Sequence, residues 1–207
     1  LELKTSKSTF IDIFSSNFTP ISTATIKCNF EKISSYYSCN PVGVVGVFNE
    51  EISVNGSHLS SFSDDDVTYL RFNAPTTFNS VPTKVFENFP HIQIFGLHSV
   101  NLTSLSTKAF KNCFKLNSLH VDGNENLTLL SSSFAEECSN LKNIYMSNNG
   151  LKTLESDAFK GLENLNYLVL SRNQLTNLPA TTFIHTPNLE FLFLDYNQIV
   201  NFHADLF

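Results

Sequence analysis

The sequence predicts an α/β fold built as a right-handed horseshoe-shaped solenoid. Its expected parts are a parallel β-sheet on the concave side, irregular or short-helical segments on the convex side, and a disulfide-containing cap at the start. Three observations carry this. Phenylalanine recurs at Phe86, Phe110, Phe134, Phe159, Phe183 and Phe207, with spacings of 24, 24, 25, 24 and 24 residues; a fixed period of this length is the mark of stacked repeats. An apolar pattern, LxxLxLxxNxLxxL, recurs in the same frame. Residues 1–66 fall outside the repeat and hold Cys28 and Cys39.

The pattern is clearest over Leu165, Leu168, Leu170, Asn173, Leu175 and Leu178. It returns at Leu141, Ile144, Met146, Asn149, Leu151 and Leu154, and at Leu189, Leu192, Leu194, Asn197, Ile199 and Phe202. Leu116, Ile92 and Val67 open three earlier units, so residues 67–207 make about six units with the last one truncated. The alternating LxL makes a short strand with its leucines inward, and stacking of successive turns covers an apolar face that one turn cannot bury alone. The asparagine has a short amide suited to satisfying backbone groups in the turn that follows. Asn124, Asn149, Asn173 and Asn197 make a ladder, which Pro75 and Val100 interrupt in the first two units. The recurrent phenylalanines fill the convex side as an aromatic spine.

These residues resemble the extracellular leucine-rich repeat family. The 24-residue unit with its spine phenylalanine is similar to insect Toll-like receptor ectodomains and to secreted mosquito leucine-rich repeat immune proteins. That resemblance implies recognition of a pathogen molecule, a cytokine or a complement-like host protein, at the level of fold analogy. The segments around Cys28 and Cys39, TATIKCNF and YYSCNPVGVVGVF, read as strands about a turn and resemble the N-terminal caps of that family.

Composition points to the same compartment. Charged residues are 15% of the chain, below the roughly 25% of an average soluble domain, while Ser, Thr and Asn are abundant. Sequons at Asn17, Asn55, Asn101 and Asn126 offer glycans as the missing solubilising surface. The expected location is extracellular, as a secreted protein or a receptor ectodomain. In that oxidising setting Cys28 pairs with Cys39. Cys113 and Cys138 each stand three residues before a repeat-opening leucine, where Phe89, Leu162 and Thr186 stand in other units. Their simplest reading is buried thiols; stacking to about 5 Å makes a staple between turns the alternative.

The net charge is −6 with scattered lysines, which gives no footprint for nucleic acid. The longest apolar stretch, Val42 to Phe48, is far short of the ~20 residues of a membrane span. The start at Leu1 reads as a mature chain whose signal peptide has been removed or is not included, and the apolar ending at Phe202 and Phe207, with no C-terminal cap, as a solenoid that continues further or is covered by a partner. No GxSxG, HExxH, phosphate-cradling loop or carboxylate pair occurs, so no enzyme, cofactor or resident metal is expected. The run from Ser63 to Asp66 reads as a solvated turn rather than a calcium loop.

Function is then expected on the outward positions of the concave strands. Tyr145, Tyr167, Val169, Phe191, Phe193 and the adjacent Tyr196 fall on consecutive strands as an apolar patch for a protein or glycan ligand. His98, His120 and Asp122 form a second, polar group that is pH-sensitive or metal-binding if it is more than hydrated surface. The leading reading is a non-catalytic recognition module. The alternative is an adhesion or matrix protein self-associating, as a homo- or hetero-oligomer, through the same aromatics.

Overall fold

The computed structural model describes residues 21–42 and 47–206; Asn17 and Phe207 lie outside them. Three strands precede the repeats: β1 (Ile21–Ile33), β2 (Tyr36–Val42) and β3 (Val47–Asn55). The concave strands of the successive turns are β4 (Tyr69–Asn73), β6 (Ile94–His98), β7 (Ser118–His120), β9 (Asn143–Tyr145), β11 (Tyr167–Val169) and β12 (Phe191–Phe193). Between them lie β5 (Thr77–Phe78), β8 (Leu129–Leu130) and β10 (Thr153–Leu154).

One ten-stranded sheet runs β12-β11-β9-β7-β6-β4-β2-β1-β3-β5, and β8 and β10 form a separate parallel pair. The repeat strands are all parallel and in register, with Leu70, Phe95, Leu119, Ile144 and Leu168 side by side and fully buried. Cap and repeats share this sheet. β1 and β2 form an antiparallel hairpin, and β2 passes its free edge to β4. Tyr37 secures the junction: its carbonyl accepts from the Thr68 N–H at 2.8 Å and its N–H donates to Thr68 Oγ1 at 3.1 Å. The cap thus pairs with the first concave strand and covers the first turn's core, as the end of a solenoid requires, and β5 lies beyond it at the sheet edge.

The convex side carries little helix, only the single turn α1 (Val85–Asn88) and a 3-10 turn over Thr107–Phe110. Phe86, Phe110, Phe134, Phe159 and Phe183 are all buried there. Phe86 approaches Phe110 at 5.9 Å between ring centroids, Phe110 meets Phe134 edge-on at 5.7 Å, and Phe159 stacks with Phe183 at 6.0 Å. In the first two units, Phe72, Phe78 and Phe95 add a cluster of edge-to-face rings.

The asparagine ladder is a chain of amides that join one turn to the next, buried at Asn124, Asn149 and Asn173 and partly exposed at Asn197. Asn124 Oδ1 accepts from the N–H groups of Val100 and Leu102 at 3.1 and 3.2 Å, and its Nδ2 donates to the Leu97 carbonyl at 3.0 Å. Val100 lacks an amide of its own, and the next turn's asparagine serves its backbone. Asn149 accepts from the Asn124 N–H at 2.8 Å and donates to the Val121 carbonyl at 2.6 Å. Asn173 and Asn197 repeat this on Leu151 and Met146 and on Leu175 and Leu170.

Both cysteine pairs are disulfides. Cys28 and Cys39 link the two strands of the cap hairpin, Cα to Cα 5.1 Å. Cys113 and Cys138 are also joined, with Cα atoms 4.9 Å apart, so the reading of buried thiols gives way to the staple. The reason is the repeat itself, since equivalent positions on adjacent turns sit at strand spacing with their side chains pointing the same way. The run Ser63–Asp66 is a capped 3-10 turn in which Asp66 Oδ2 accepts from the Ser63 N–H at 2.8 Å and from its hydroxyl at 3.0 Å.

Two stability outcomes are expected. Replacing Cys113 and Cys138 together by alanine opens a 25-residue loop and costs about 2–4 kcal/mol, seen as a thermal midpoint lower by about 5–15 °C in circular dichroism. Asn149→Ala strands the buried Asn124 N–H and Val121 carbonyl and costs about 1–3 kcal/mol per orphaned group in denaturant melts. The exposed Lys152→Ala serves as control, within about 0.5 kcal/mol of the parent.

Candidate recognition surface on the concave sheet

Because side chains alternate across a strand, burying Leu119, Ile144, Leu168 and their neighbours turns the intervening residues outward. The register aligns these in two columns: Tyr69, Ile94, Ser118, Asn143, Tyr167 and Phe191, and Arg71, Gly96, His120, Tyr145, Val169 and Phe193. The two sequence-derived groups meet on this surface. His98 lies 6.0 Å from His120 between ring centroids, His120 stacks on Tyr145 at 4.5 Å, and Tyr145 faces Tyr167 at 5.5 Å. Tyr167 in turn contacts Phe191 at 5.6 Å and Phe193 at 5.2 Å. They form a single ribbon of rings across β6 to β12.

Exposure rises along it. Tyr145, Tyr167 and Val169 are half-buried, whereas Phe191 is 49% and Phe193 39% exposed. Tyr196, just past β12, is 70% exposed and lies beneath the Arg172 guanidinium, 4.4 Å from ring centroid to Cζ. Both residues have positive φ, 57° and 56°. So do Ser99, Gly123 and Asn148, the same position in the preceding turns. The left-handed residue before each ladder position is therefore a requirement of the turn.

At the other end of the ribbon, register and period bring His98, His120 and Asp122 together. His98 Nδ1 is 3.5 Å from Asp122 Oδ2, the second Asp122 oxygen accepts from the Ser147 N–H at 2.9 Å, and His120 Nε2 is 3.0 Å from Ser118 Oγ. Burial, with the charges of Arg71 and then His120 nearby, lowers the His98 pKa from 6.5 to about 4. Burial and Arg71 also lower that of His120. Asp122 is shifted upward by burial, partly opposed by the Ser147 N–H and Arg71. Arg71, whose Nε donates to Asn73 Oδ1 at 3.0 Å, is the cation near this group, and sequence reasoning did not single it out. Its place in the second column was the available signal.

Of the sequons, Asn55, Asn101 and Asn126 are exposed. Asn126 Nδ2 donates to Asn101 Oδ1 at 2.7 Å, so these two acceptors sit on adjacent turns just past the strand ends. Where the strands begin, at the opposite edge, an open polar groove is lined by Gln93, Lys115, Asn117, Asn140, Lys142 and Asn143. No helix among the described residues is long and apolar enough to cross a membrane.

The family model for the leucine rich repeat matches residues 139–199, the turns that carry the exposed end of the ribbon. These residues are leucine-rich repeats. The same strand register, inward residues and ladder extend the leucine-rich repeat architecture back to β4. No curated protein matches the sequence. Among solved structures, the chain is similar to one in the Toll–Spatzle complex, a molecular hub in Drosophila development and innate immunity, at 16% identity and a TM-score of 0.47 over 75% of this chain and 27% of that one. It is also similar to TLR13 in its complex with ssRNA13, at 24% identity and a TM-score of 0.47 over 73% of this chain and 25% of that one. The chain thus spans about a quarter of the length of the chains it matches in these structures.

A pH dependence follows from the polar end. A histidine whose pKa is depressed in the fold binds its proton more readily when unfolded, so stability is lost as pH falls from about 6.5 toward 4. Asp122 works in the opposite sense, because its raised pKa lets the native state take up a proton first as pH falls. The thermal midpoint of the parent protein is expected to fall by a few degrees between pH 6.5 and 4.5. His98→Asn is expected to reduce that fall, and scanning calorimetry at the two pH values checks it.

Proposed function

We propose that this chain is a non-catalytic, extracellular protein-recognition module whose binding surface is the concave ring ribbon from His120 to Phe193, extended by Tyr196. The observation that carries this reading is the graded exposure of mutually supporting rings on consecutive rigid strands. Aromatic side chains that are pre-ordered by their neighbours lose little entropy on binding and present a large contact area. A surface of large exposed rings held on a parallel sheet is poorly suited to solvent and well suited to a partner. Two disulfides and exposed sequons favour an oxidising, secretory setting, with glycans at Asn55, Asn101 and Asn126. On this reading sugars cover the edge past the strand ends, and the partner approaches the concave face. Within this class we place the chain in innate immune recognition, as a secreted factor or part of a receptor ectodomain.

The test is site-specific photo-crosslinking, with p-benzoylphenylalanine at Phe193 or at the exposed convex Lys160, in extracellular fluid from the source organism. Protein adducts are expected from position 193 alone, and are expected to disappear with Tyr167→Ser. Equal labelling from both positions would refute a concave site. If position 193 yields only dimers of this chain, with a concentration-dependent dimer in sedimentation, the ribbon serves self-association instead.

A further inference from the structure

We infer that His98, His120 and Asp122 form a binding site for a nitrogen-preferring divalent metal ion such as Zn2+, independent of the aromatic end of the ribbon. The geometry comes from the fold. His98 ends β6, His120 ends β7 on the neighbouring strand, and Asp122 lies two residues beyond, on the same outward face as His120. One ligand atom from each of the three lies within 4.8 Å of the others. A tetrahedral ion with bonds of about 2.0–2.1 Å needs ligand atoms about 3.3 Å apart, so the three side chains must draw closer together to hold it.

The ligands are already oriented in the manner of metal sites. Asp122 commits one oxygen to the Ser147 N–H and holds the other 3.5 Å from His98 Nδ1. His120 rests one ring nitrogen against Ser118 Oγ and one ring face on Tyr145. Outer contacts of this kind hold the direction of a ligating imidazole. Gly96, between Arg71 and His120 in the second column, keeps the space open: a Cβ there would lie 3.0 Å from Arg71 Cγ and 3.1 Å from His98 Nε2.

Charge chooses the ion. A single carboxylate beside the Arg71 guanidinium gives little net attraction to a hard cation, and calcium would need six to eight oxygen ligands that are not assembled here. Two imidazoles offer nitrogen lone pairs of the kind Zn2+ or Cu2+ prefers. Three protein ligands leave one coordination position for water, as in open zinc sites.

Isothermal titration of the untagged 207-residue chain with ZnCl2 at pH 7.2, in a non-chelating buffer, tests this. One ion per chain is expected, with affinity reduced at least 100-fold by either His98→Asn or His120→Asn. Arg71→Met is expected to tighten binding several-fold, and His185→Asn, which removes the separate contact of His185 to Asp157, to leave it unchanged. Calcium is expected not to compete. Should the two histidine variants fail to fold, histidine ring resonances of the parent protein decide: those of His98 and His120 are expected to shift together as one equivalent of zinc is added. Absence of stoichiometric binding, binding that survives both substitutions, or shifts confined to other histidines would overturn the assignment.

Discussion

The structure depends on one constraint: a short strand that turns sharply into its own core carries backbone N–H and C=O groups away from water, and a single turn has no partner for them. A buried unpaired peptide group costs about 1–3 kcal/mol, and the cost recurs in each repeat. The ladder asparagines remove it with one side chain per turn, because a carboxamide both donates and accepts. Each reaches back to the preceding turn, as Asn149 does to Asn124 and Val121, so the bonds that close one turn also fix its distance and rotation relative to the next. The inward leucines and the convex phenylalanines then pack at a spacing already set. The Cys113–Cys138 bridge is a covalent version of the same between-turn contact.

Once turns are locked in register, every repeat position becomes a column, and the columns divide into those the core uses and those it leaves free. The outward strand positions are free. They change from Arg71, Gly96 and His120 at one end to Val169 and Phe193 at the other without disturbing a single inward residue. On the proposed reading, stability and recognition are thereby carried by different side chains of the same strands. This is why one face can hold a polar, electrostatically coupled group and an apolar ring surface a few strands apart, joined through the stack of His120 on Tyr145.

Much of this was legible in the sequence, for a physical reason. Features that depend on period alone could be read: the strand positions, the ladder from Asn124 to Asn197, the spine, and the membership of both concave columns. Features that depend on distance between turns could not. The sequence left Cys113 and Cys138 undecided between thiols and a bridge, since the spacing gives adjacency but not side-chain direction. It separated the aromatic patch from the His98, His120 and Asp122 group, because only the ring contact between His120 and Tyr145 unites them. The influence of Arg71 on both histidines likewise comes from two neighbouring strands and leaves no local pattern. The left-handed column before the ladder escaped notice because Ser99, Gly123, Asn148, Arg172 and Tyr196 share no chemistry, only a backbone angle.

That column bears on where a partner would bind. A non-glycine residue at positive φ is unfavourable, and such strain often marks a functional site. Here it recurs at one position in five successive turns, so its cause is the sharp exit from the strand and it points to no special role for Tyr196 by itself. What is special is the choice of side chain. The fold demands only a backbone angle at these positions, which a glycine or asparagine meets at least cost. Gly123 and Asn148 conform, whereas Arg172 and Tyr196 place the two largest side chains of the column where Phe191 and Phe193 are most exposed. Strand surface and turn thus grow in size and aromatic character together toward the β11–β12 end. Packing explains neither increase, because Arg172 and Tyr196 are exposed and the core beneath is already filled by Leu168 and Leu170. The contact surface proposed at that end accounts for both.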